Sequence, residues 1–153
     1  MTHRYLSEHI IDLEDRGLQF YRDCMRITNQ FSTKYILEKV LKRQQAHVKS
    51  LKSEIFHLRD NVELNVDIDV DIDVDIDDFL KCKLPQEFDR EHLNFVEATK
   101  LALRMSDYYL EMYRRLFQNS TDIEKQDLLK CVIEKKSEYT KQLKKEYERL
   151  RYK

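Results

Sequence analysis

The chain repeats itself. Shifted by 92 residues, so that Tyr21-Arg22 falls on Tyr113-Arg114, the sequence reproduces its own apolar pattern without a gap. At the same shift Leu18 meets Leu110, Leu37 meets Leu129, Val40 meets Val132, Leu51-Lys52 meets Leu143-Lys144 and Leu58-Arg59 meets Leu150-Arg151. Chance matches between leucine-rich segments are common, but one register held through two periodic segments and the break between them points to a structural unit used twice. With 153 residues there is room for one domain with a sizeable core. It divides into a first unit over about residues 2–60, a connection over 61–88 and a second unit over 89–151.

Each unit reads as a helical hairpin. Over residues 2–28 apolar side chains recur at Ile10, Leu13, Gly17, Phe20 and Cys24, with a second row at Ile11, Leu18, Tyr21 and Met25, which is one wide helical face. A polar break at 29–32 precedes a second periodic run through Leu37, Val40, Leu41, Val48, Leu51, Ile55 and Leu58. Helices joined so briefly run antiparallel. In the second unit Pro85 and Asp89 mark a start, and the third run passes through Leu101, Ala102, Met105, Tyr109, Leu110, Tyr113 and Leu116. Thr121-x-x-Glu124 then reads as a capping box opening the fourth run, Leu128 to Leu150. A single Gly and a single Pro leave too few turn formers for a sandwich or barrel, so the expected class is all-α: an antiparallel four-helix bundle of two duplicated hairpins, with a long crossover between helices two and three.

Within the first hairpin, Glu14-Asp15-Arg16-Gly17-Leu18-Gln19-Phe20-Tyr21 and Gln44-Gln45-Ala46-His47 resemble the rubrerythrin-like branch of the ferritin-like family. In that family a Glu followed by Gly and an aromatic pair lies on helices one and three, and Glu-x-x-His lies on helices two and four. The resemblance covers nearly all of the chain outside the connection and implies a ferritin-like fold. It also implies that a diiron site would be built from six positions: Glu14, Gln44 and His47, with Ser106, Lys136 and Tyr139 at the 92-residue shift. The spacing has a physical basis, since residues i and i+3 share a helix face and can grip one ion together. Only Glu14 and His47 are of a ligating type expected there. Position 44 is a neutral amide and position 136 a lysine, whose cation repels metal, so two bridging carboxylates are missing.

Glu14 lies in the row Ile11, Leu18 and Tyr21, and Lys136 lies among Val132, Ile133, Tyr139 and Leu143. A carboxylate and an ammonium in apolar stripes each carry a large desolvation cost, which pairing relieves. Two outcomes are open. Lys136 can replace the metals electrostatically, paired with Glu14 while His47, Gln44, Tyr139 and Ser106 complete a polar cluster. Alternatively these side chains sit at stripe edges and reach water.

Residues 66–77 alternate without fault, Val66, Ile68, Val70, Ile72, Val74 and Ile76 against Asp67, Asp69, Asp71, Asp73, Asp75 and Asp77. Period two with β-branched residues predicts an extended strand whose aspartates face solvent. Oxygen ligands about 7 Å apart along that face suit weak binding of calcium-like cations, and a lone strand edge could instead pair with a second copy.

Other signals read as structure. His3, His9, His57 and His92 show no paired ligand spacing and are taken as surface or helix-end residues. Cys24 and the tyrosines Tyr108, Tyr109 and Tyr113 fall at packing positions. Three cysteines at wide spacing form no disulfide framework, and the 134–153 segment interleaves eight Lys or Arg with four Glu, as a solvated face does. The expectation is a soluble cytoplasmic protein that binds neither nucleic acid nor membrane. It is non-catalytic, needs no cofactor, and is dimeric by resemblance, serving as a binding or assembly module. The alternatives are a residual metalloprotein and a cation-responsive one. In the first, Glu14 and His47, helped by Glu138 or Asp107, hold a single iron or other divalent ion, which by resemblance implies iron handling or peroxide chemistry. The second acts through the aspartate ladder.

Overall fold

A computed structural model describes residues 5–57 and 75–152. Four long helices carry the fold: α1 (Leu6–Ile27), α2 (Phe31–His57), α4 (Phe95–Asn119) and α5 (Ile123–Arg151). Between α2 and α4 a π-helical turn, Phe79–Lys83, runs into the single-turn α3, Leu84–Glu87. All regular elements among the described residues are helical.

The apolar rows become one core. Leu13, Leu37, Leu101 and Val132, one from each long helix, are fully buried, and a buried leucine contributes about 1.5–3 kcal/mol by leaving water. Gly17 lets α1 approach α4 closely: a Cβ there would stand 3.3 Å from the Tyr109 hydroxyl and 3.4 Å from the Met105 methyl. That hydroxyl donates to the Leu13 carbonyl at 2.6 Å, tying the two helices together.

Three sets of contacts fix the helix directions. Thr28 and Thr33 donate to the Glu91 carbonyl at 3.2 and 3.3 Å, which puts the start of α4 beside the start of α2, so these two run parallel. Arg43 reaches Glu146 at 3.0 Å while Lys135 lies 3.7 Å from Glu54, so α2 and α5 run antiparallel. Gly17 faces Met105 and Tyr109, and Glu14 faces Tyr113, so α1 and α4 are antiparallel too. Because α2 and α4 run in the same direction, the start of α4 lies at the opposite end of α2 from its last residue, roughly 40 Å away for a helix of 27 residues.

Three sequence readings are corrected at element ends. The long third helix does not start at Pro85 or Asp89; Pro85 lies in the first turn of α3, and α4 begins only after Asn94, whose side chain accepts from the Glu97 N–H at 2.8 Å. Helix α5 is capped by Asp122 rather than Thr121, the carboxylate accepting from the Glu124 and Lys125 N–H groups at 2.9 and 3.5 Å. A carboxylate is the stronger acceptor at a helix N-terminus and is favoured by the helix dipole. The extended-strand reading fails at the described end of the alternating segment, because residues 75–78 are helical. Ile76, Phe79 and Leu80 are buried together at helical spacing, and that burial overrides the period of two. The rest of the alternation, including Asp67, Asp69, Asp71 and Asp73, lies outside the described residues.

Candidate functional site

All four long helices contribute to one polar cluster inside the apolar core. Glu14 on α1 is fully buried, and Lys136 on α5 is 1 % exposed. The Lys136 ammonium donates to Glu14 Oε1 at 2.6 Å, and the Tyr113 hydroxyl on α4 donates to Oε2 at 2.7 Å. Both carboxylate oxygens are thereby satisfied, and Lys136 does not extend to water. The ammonium also faces aromatic rings, 5.0 Å from the Tyr109 centroid and 5.7 Å from that of Tyr139. Ring faces carry negative quadrupole density, so these contacts add to the carboxylate's hold on the cation.

His47 on α2 closes the fourth side. Its ring stacks on Tyr139 at 4.1 Å and 11°, and its Nε2 stands 3.7 Å from Glu14 Oε1 without a hydrogen-bond partner. Burial, reinforced by the Lys136 and Lys135 cations, pushes its pKa down to about 2. The imidazole is therefore neutral at ordinary pH, and its approach to Glu14 is a dipolar contact instead of an ion pair. The charge of Glu14 is matched by Lys136 alone.

The remaining sequence positions divide. Gln44 is buried on the same face of α2, one turn before His47. Ser106 turns to α5, sharing a 2.6 Å hydrogen bond with Thr140, whose hydroxyl donates to the Lys136 carbonyl at 2.7 Å. It supports the helix that carries Lys136 and makes no bond to Glu14. The Tyr139 hydroxyl is buried without a partner, and its pKa is raised by burial.

Tyr113 and Tyr109 belong to the site, although helical spacing in the sequence marks them only as packing residues. Burial, the Glu14 charge and, for Tyr113, the bond to it hold both hydroxyls protonated well above the ordinary range. The signal was present: Tyr109 and Tyr113 follow Ser106 by three and seven residues, on one helix face. The histidine reading also needs correction at His9, which is fully buried rather than at the surface, because Leu6, His9, Ile10 and Leu13 share the buried face of α1. Cys24 is buried, and burial pushes its thiol up to about 11.

Above the cluster a groove of about 450 Å³ runs between α2 and α5. His47 and Tyr139 line it together with Arg43, Lys135, Glu138 and Glu146. The aromatic pair thus separates the Glu14–Lys136 pair from solvent.

The cluster does not fit a diiron group. It supplies one carboxylate where the bridged pair needs four, and its centre is filled by an ammonium. No three His, Cys, Asp or Glu side chains converge as a metal site among the described residues. Neither suggested helper completes a site with Glu14 and His47: Glu138 lines the solvent groove, and Asp107 is exposed on α4. Of the aspartate ladder, Asp77 approaches Arg16 at 3.6 Å, and the Asp75 carbonyl accepts from Tyr108. Successive helical residues point in different directions, so these two carboxylates cannot share the single face the ladder needs. No helix among the described residues is long and apolar enough to cross a membrane. Comparison with protein-family models, curated proteins and solved structures finds no match.

Proposed function

We propose that the chain is a ferritin-like four-helix bundle of the rubrerythrin-like kind whose diiron centre has been replaced by a tethered cation, and that it serves as a non-catalytic binding or assembly module. The carrying observation is the 2.6 Å contact between the Lys136 ammonium and Glu14, at the position where bridging metals would lie in such a bundle. The parallel course of α2 and α4 supports the ferritin-like topology, and the stacking of His47 on Tyr139, residues matched by the 92-residue shift, supports the duplication. With its charge balanced by its own lysine, the core needs no ion to hold the four helices together.

A binding role draws on the surface. Phe31, Phe56 and Ile123 are 85 %, 80 % and 72 % exposed, and Phe31 and Ile123 open α2 and α5 at positions matched by the repeat. Phe31 and Ile123 stand at opposite ends of the antiparallel pair α2 and α5, each leaving apolar area in water that a homodimer contact would cover. Sedimentation equilibrium with a metal challenge tests the proposal. A dimer weakened by Phe31→Ser or Phe56→Ser, with a melting temperature unmoved by ferrous or manganous ion, is the expected result. Ferrous ion raising the melting temperature and being oxidised in turnover would replace this reading with the metalloprotein one.

A further inference from the structure

The cage round the Lys136 ammonium is a complete binding site in its own right. Glu14 supplies one negative charge, its second oxygen is held by Tyr113, and Tyr109 and Tyr139 present ring faces at 5.0 and 5.7 Å. Gln44 is neutral, and His47 is neutral at the foot of the solvent groove. A cage of single negative charge lined by aromatic faces matches a monovalent organic cation. A divalent ion would bring a second positive charge, and among the described residues no third His, Cys, Asp or Glu joins Glu14 and His47 to hold it.

We infer that Glu14, Tyr113, Tyr109 and Tyr139 form a site for small primary alkylammonium ions, which the chain's own Lys136 fills and which opens to such amines from solution when that side chain is cut back. The inference rests on the reading of Lys136 as a tethered cation. Length sets the specificity. Trimming lysine to alanine removes three carbons and the amino nitrogen, so propylammonium restores the missing atoms, methylammonium leaves apolar space empty, and tetramethylammonium has no N–H for Glu14. The groove over His47 and Tyr139 is the access route, with one aromatic layer between solvent and the cage.

The experiment is thermal unfolding and refolding of Lys136→Ala in propylammonium, methylammonium, tetramethylammonium or sodium chloride at equal ionic strength. Lys136→Ala should unfold well below the parent chain. Propylammonium at roughly ten times its Kd should raise its midpoint by about 3–6 °C. Methylammonium should give a smaller rise, and tetramethylammonium should do no more than sodium. Glu14→Gln/Lys136→Ala should lose the response for want of the charge, and Lys136→Met for want of the space. A destabilised Lys136→Ala indifferent to propylammonium would overturn the inference, as would a chain that stays unfolded with or without it. A larger rise with manganese or zinc than with any amine would also overturn it, making the vacated site one for metal. If instead Lys136→Ala proves as stable as the parent, the tethered-cation reading itself fails, which is a separate result.

Discussion

Replacing Lys136 by methionine removes the ammonium and keeps most of the apolar stem, so the change isolates charge from packing. The parent chain holds Glu14 with two donors, Lys136 at 2.6 Å and Tyr113 at 2.7 Å, and no exposure to water. Lys136→Met leaves the carboxylate buried with a hydroxyl alone. Removing one partner of a buried pair costs about 3–5 kcal/mol, a large part of the roughly 5–15 kcal/mol that stabilises a domain. The melting temperature should fall by about 6–20 °C for a chain of this size. Adding Glu14→Gln removes the orphaned charge and keeps an acceptor for Tyr113, so the double variant should return to within about 1 kcal/mol of the parent. Urea unfolding followed by far-ultraviolet circular dichroism measures all four corners of the cycle. Glu14→Gln alone leaves the buried ammonium without its carboxylate and should cost a similar amount, so a coupling of at least about 5 kcal/mol between positions 14 and 136 is the expected value. A Lys136→Met cost below about 1 kcal/mol, adding simply to that of Glu14→Gln, would place the pair with exposed salt bridges and refute the reasoning.

Three further outcomes follow from the same geometry. Tyr113→Phe deletes the second donor to Glu14 and should cost about 1.5–3 kcal/mol in urea unfolding, as bonds to charged groups do. His47, held down to about 2 when folded, takes up a proton from about pH 6.5 downward only when unfolded, so acid favours the unfolded chain. Stability should therefore fall with decreasing pH by about 1.4 kcal/mol per unit more in the parent than in His47→Phe, measured between pH 6 and 4. Asp122→Ala should lower stability by about 1 kcal/mol, and Thr121→Ala should change it by less than about half that amount, since Asp122 alone caps α5.

The interior of the fold was far more legible in the sequence than its ends. Apolar rows at helical spacing place Leu13, Leu37, Leu101 and Val132, and the same rows draw attention to Glu14 and Lys136 as charges in the wrong company. Their meeting across 122 positions of chain is implied by the sequence only through the register of the repeat. The start of α4 was missed because Pro85 and Asp89 are strong local signals. The buried Leu93, the capping Asn94 and Glu97 three residues later mark the true start, and Leu93 can anchor there only through tertiary burial. The alternating segment shows the converse failure. Its pattern is the clearest period of two in the chain, yet at residues 75–78 the burial of Ile76 with Phe79 and Leu80 selects a helix. The aromatic side of the site was hidden because tyrosines at helical spacing are packing residues first, and only the burial of a carboxylate beside Tyr113 turns its hydroxyl into a ligand.

The central claim, that an ammonium has taken the place of metal in this core, is tested most directly by the metal content of protein purified without added metal or chelator. Elemental analysis should find iron, manganese and zinc far below one ion per chain, in protein that is folded and melts at the same temperature after exhaustive chelation. Two irons per chain, lost together with the fold on chelation, would contradict the account and require Lys136 to stand aside from Glu14.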